Sequence, residues 1–80
     1  MIPRYYFHVR NGNGLVEDEE GRSLPDRDTA RAEALKGVRS MLSEDVLSGF
    51  LDLQGTIDVV EEAGEPVLSL DFGEAVDVRR

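Results

Sequence analysis

The stretch Tyr5-Tyr6-Phe7-His8-Val9-Arg10 runs directly into Asn11-Gly12-Asn13-Gly14. Aromatic and β-branched residues suit a pleated, half-buried surface, so the first run predicts a strand. Asn and Gly tolerate positive φ at the least steric cost, and the quartet predicts a hairpin or tight turn. Leu15-Val16-Glu17-Asp18 then reads as a short return strand at a sheet edge, because it becomes charged so quickly. Side chains alternate along a strand with period two. Tyr5, Phe7 and Val9 therefore share one face, while Arg4, Tyr6, His8 and Arg10 share the other. One apolar face needs a cover, and the rest of the chain must supply it.

Asp18-Glu19-Glu20-Gly21 is a second turn, and Leu24-Pro25-Asp26 leads into the covering helix. Asp26 is placed to accept from the free amides of the first turn, and Asp28 sits favourably at the positive helix end. At 100° per residue, Ala30, Ala34, Leu35, Val38, Met41 and Leu42 form one stripe, and Glu33, Lys36, Ser40 and Ser43 fall outside it. Gly37 in mid-helix costs ~1 kcal/mol relative to Ala. Glu44 and Asp45 approach the negative end, where acids are unfavourable. Either the helix runs on to a stop at Gly49, or Ser43 caps a separate last turn. Arg31 falls near the centre of the stripe, where an apolar residue is expected. The expectation is that it reaches Asp18, Glu19 or Glu20 and ties the acidic turn to the helix.

Thr56-Ile57-Asp58-Val59-Val60 predicts a third strand, and Glu62-Ala63-Gly64-Glu65 a turn. Val67-Leu68-Ser69-Leu70-Asp71-Phe72 alternates cleanly, with Pro66 at its first position, where a missing amide hydrogen does least harm. Ala75-Val76-Asp77-Val78 adds a short strand or simply packs. With no repeat or linker, the expectation is one domain over residues 1–80. Its fold class is α+β in ββαββ order, one helix on a four-stranded, mainly antiparallel sheet. The covered face should combine Tyr5, Phe7, Val9, Ile57, Val59, Leu68, Leu70 and Phe72 with the helix stripe.

The 80 residues carry a formal charge of −8 and no cysteine. There is therefore no disulfide and no thiolate metal site. No apolar run is long enough for a secretory signal or a membrane span, which points to a cytoplasmic protein without membrane contact. The charge is uneven: residues 1–10 are positive, residues 31–49 are balanced, and the acids sit in residues 11–30 and 50–80. A field of this sign repels phosphate backbones and argues against nucleic acid.

Within that acidic chain, Arg4, Tyr6, His8 and Arg10 form the one basic, aromatic stripe. Val60 and Val67, with Asp58, Ser69 and Asp71, belong to the same face. Three readings apply to it. The first is internal cross-strand pairing of Arg4 or Arg10 with Asp58 or Asp71. The second is a protein contact, with a partner or with a second copy in a homodimer, in which Tyr6, Val60 and Val67 form an apolar centre. The third is a weak ligand or nucleic-acid platform, with Tyr6 and His8 stacking a base. The candidate interaction surface is Arg4, Tyr6, His8, Arg10, Val60 and Val67.

Catalysis finds little support. His8 has no cysteine to pair with, and no serine stands in a nucleophile-elbow pattern. Glu17, Asp18, Glu19 and Glu20 resemble a cation loop, but Leu15 occupies a position where an EF-hand needs a ligand. No phosphate-cradling glycine loop is present. The expectation is no enzyme, no catalytic residue, no cofactor and no metal, with the acidic turn as the remaining place to look for a cation.

The opening Pro3-Arg4-Tyr5-Tyr6-Phe7-His8 resembles that of a family of short acidic proteobacterial proteins classed as a domain of unknown function. The shared order continues through the Gly-rich turn, Asp18-Glu19-Glu20-Gly21, Leu24-Pro25-Asp26, the Ala30-Arg31-Ala32-Glu33-Ala34 helix, Glu62-Ala63-Gly64 and Leu68-Ser69-Leu70-Asp71-Phe72. The first turn departs from it, being Asn-Gly-rich where such proteins are commonly Asp-Gly-rich, which removes two carboxylates. The resemblance implies a bacterial cytosolic origin and brings no activity. A looser similarity is to antitoxin-like domains that pair a small sheet with one helix, dimerise and neutralise a toxin. That is analogy of fold, from which function does not follow.

Overall fold

The computed structural model describes residues 2–12 and 14–76. The first strand, β1 (Arg4–Asn11), turns through the Asn-Gly segment into β2 (Gly14–Val16), where Gly14 adopts φ 116°. The pairing sets Val9 opposite Val16 and Arg10 opposite Leu15. A two-residue strand, β3 (Arg22–Ser23), then pairs with the start of the same edge of β1, setting Tyr5 opposite Arg22. The helix α1 (Arg27–Leu47) crosses over to β4 (Thr56–Glu61), which lies antiparallel along the other edge of β1. A hairpin leads to β5 (Pro66–Asp71). The sheet order is β2-β1-β4-β5, with β3 beside β1.

The class is thus α+β, one helix with an antiparallel sheet. The expected ββαββ order is corrected to βββαββ, followed by a 3-10 turn over Phe72–Ala75. The extra strand arises because β2 turns away after three residues. The amide edge at the start of β1 is left open, and Arg22 and Ser23 fill it. Within the tail, Ala75 is buried and Val76 is half-buried, while Asp77 and Val78 lie outside the described residues.

Asp26 caps α1 as its sequence predicts, accepting from the Thr29 amide at 2.7 Å. Hydrogen bonding from the Thr29 side chain, and then from its amide, holds the Asp26 carboxyl below its ordinary value. The helix runs unbroken through Glu44 and Asp45 to Leu47. No new turn starts at Ser43, because the Ser48 amide bonds back to the carbonyls of Glu44 and Asp45. Gly49 at φ 92° then turns the chain away.

The helix buries Ala30, Ala34, Val38 and Leu42 against Tyr5, Ile57, Val59, Leu70, Phe72 and Ala75, none more than 5% exposed. Phe7, Val9 and Leu68 flank this core and are only half-buried. Gly55 is buried where its backbone meets the Phe72 ring, and a β-carbon there would lie inside the ring. The molecule is elongated, 44 × 24 × 17 Å. Among the described residues, no helix is long and apolar enough to cross a membrane.

Candidate functional site

One helix covers one face, so the opposite face of the sheet stays open. The register places Tyr6 opposite Val60, His8 opposite Asp58 and Arg10 opposite Thr56 across the β1–β4 ladder. On the β5 side, Asp58 faces Ser69, and a bulge between Val59 and Val60 leaves Val67 without an opposite number. A bulge bends its strand and sharpens the local twist. Here the face carries a shallow, open groove of about 680 Å³ lined by His8, Arg10, Leu15, Glu17, Val60 and Val67 among others.

Most charged groups on this face are engaged; Glu17, which also lines the groove, makes no ion pair among the described residues. Arg10 pairs with Asp58 at 2.8 Å, and the Ser69 hydroxyl donates to the other Asp58 oxygen at 2.7 Å. Tyr6 and His8 stack with centroids 6.5 Å apart and planes 9° from parallel. The Arg4 guanidinium donates to the Glu20 carbonyl, which holds it at the rim of the sheet and away from the groove. Of the six residues singled out by sequence, His8, Arg10, Val60 and Val67 come together in the groove. Tyr6 stands beside it, and Arg4 is spent on the turn. Leu15 belongs to the groove and was missed; its alternation with Val16 was the available signal.

Asp18 is the second residue that sequence reasoning passed over. On the edge of β1 away from β4, between the ends of β2 and β3, no strand reaches Phe7, and Asp18 fills the gap. Its carboxylate accepts from the Phe7 amide at 3.1 Å, from Gly21 at 3.1 Å and from Glu20 at 3.2 Å. Its own amide donates to His8 Nδ1 at 3.1 Å. Partial burial pushes the Asp18 carboxyl up, but the bonds from Gly21, Phe7 and Glu20, with the nearby His8, outweigh it. The net shift is downward. The legible signal was Asp18-Glu19-Glu20-Gly21, an aspartate whose side chain closes a turn on a glycine.

The acidic turn is therefore organised by backbone amides pointing at Asp18. Among the described residues, no cluster of His, Asp or Glu is arranged to hold a metal ion. The expected tie from Arg31 is corrected: Arg31 is exposed and makes no ion pair with the turn. The guanidinium that reaches the helix is Arg22, which bonds Glu33 at 2.7 Å and lies 5.7 Å from the Phe7 ring centroid. That placement already satisfies the junction between β3 and α1.

A small antiparallel sheet with one covering helix and an uncovered, charge-paired face defines the class. Residues 4–73 match the family model described as a domain of unknown function, DUF6894, and the chain belongs to that family. No curated protein and no solved structure matches it.

Proposed function

We propose that this domain is a non-catalytic protein-interaction module, acting in the cytoplasm, whose open sheet face binds another copy of itself. The observation that supports this is the state of the groove. Arg10 and Asp58 pair with each other and Glu17 stands at its edge, while Val60, Val67 and Leu15 leave an apolar floor uncovered. An apolar centre inside a polar rim is the anatomy of a protein contact. Phosphate recognition would need free cations, and both Arg4 and Arg10 are committed within the chain. The groove is also open to solvent, and its Asp58 and His8 Nδ1 are both engaged within the chain. A two-fold arrangement would place each Val60–Val67 floor against its twin.

Light scattering at micromolar concentration tests this. The expected mass for the wild type is twice that of the 8.9 kDa chain, and Val67→Asp is expected to run as a monomer with its circular dichroism intact. A strictly monomeric wild type would overturn the self-pairing. Salt-dependent retention of an oligonucleotide would favour the nucleic-acid reading instead.

A further inference from the structure

A second apolar feature lies away from the sheet face, at the C-terminal end of α1. Beyond Leu42 the helix buries no side chain completely, yet four large apolar residues follow within ten positions. Val46 is 60% exposed, Leu47 85%, Phe50 56% and Leu51 49%. Each keeps about half or more of its surface exposed, and a concentration of exposed apolar surface marks a contact site. Beside it a small cleft of about 170 Å³ has Met41, Phe50 and Phe72 as its apolar floor and Glu44, Asp45 and Asp52 among its walls.

Among the described residues, the charged side chains that line this cleft are all acidic. None of Glu44, Asp45 and Asp52 makes an ion pair among the described residues, and the last turn of α1 holds no base. The negative end of the helix adds to the same field. An apolar floor under carboxylate walls suits a Lys or Arg side chain, which buries its aliphatic stem and keeps its cationic head among oxygens. A second copy meeting this end through a two-fold axis would oppose like charges.

We propose that the end of α1, with Leu47 and Phe50 as apolar anchors and Glu44, Asp45 and Asp52 as acidic walls, docks a cationic amphipathic segment of another protein. This surface is independent of the sheet face and does not rest on self-association.

The probe is a short amphipathic peptide of Leu and Lys at helical spacing, titrated into the full chain and followed by NMR shifts and calorimetry. Binding should perturb the amides of residues 44–52 and weaken as salt rises. Leu47→Ser, and separately Glu44→Lys, should each weaken it about tenfold or more, while melting curves stay unchanged. Tyr6→Ala, on the sheet face, should bind as the wild type does. Unchanged affinity in the two end variants overturns the proposal, as does equal binding of a Leu/Glu peptide. A concentration-dependent rise in mass that Leu47→Ser abolishes would also overturn it, because a second copy would then be the occupant.

Discussion

Asp18 shows how one side chain can stand in for a strand. β1 would carry an unpaired amide at Phe7 on its outer edge, and a buried or half-buried donor without a partner costs ~1–3 kcal/mol. The Asp18 carboxylate meets that amide and two others at once. Asp18→Asn keeps the shape but loses the charge that strengthens these bonds. We expect it to lower stability by about 1–2 kcal/mol at neutral pH. The sign of the pH dependence follows from the depressed carboxyl. The Asp18 contribution is complete above the ordinary aspartate range and is lost as pH falls through its lower value in the folded chain. Urea titrations of wild type and variant should therefore diverge at neutral pH and converge in acid. A constant gap would show that the charge is not what matters. Gly21 belongs to the same device: it sits at φ 69°, and a β-carbon would come within 2.9 Å of the Tyr5 carbonyl oxygen.

At the scale of the element, α1 carries a removable weakness. Gly37 lies in the helix, and beyond the helix's own backbone and its chain neighbours nothing comes within 4 Å of where a β-carbon would go. Gly37→Ala should therefore stabilise the domain by about 0.5–1 kcal/mol, read as a rise in melting temperature. A fall would mean that the site is tighter than its geometry indicates. The body of this helix was legible in the sequence, because the Asp26 cap and the Ala30–Leu42 spacing both report local rules that the packing does not override. Its end was less so. The acids at Glu44 and Asp45 argued for a break, but the backbone bonds from Ser48 hold the helix together to Leu47. β1, β4 and β5 were legible for the same local reason, since their alternation is strong. β3 was not, because two residues carry no period, and it forms only where β1 leaves an edge unfilled. On the open face, alternation located His8, Arg10, Val60 and Val67. The commitment of Arg4 to Glu20 depends on a turn sixteen residues away, which no local pattern encodes.

For the whole molecule, one thin core carries the stability. A domain of this size sits near the low end of ~5–15 kcal/mol. Leu70 is 5% exposed within that core, and Leu70→Ala is expected to cost about 3 kcal/mol. Phe7 is half-buried at the margin under Arg22, so Phe7→Ala should cost less, about 1–2 kcal/mol, despite the larger side chain. Urea midpoints that reverse this order would show that the core is centred elsewhere. The 44 × 24 × 17 Å outline has a further consequence in hydrodynamics. A particle nearly twice as long as it is wide drags more solvent than a sphere of equal mass and diffuses more slowly. A single chain will leave a gel-filtration column early, at the position of a larger sphere. Elution volume alone will therefore overstate association, and only a shape-independent mass will separate one elongated chain from two.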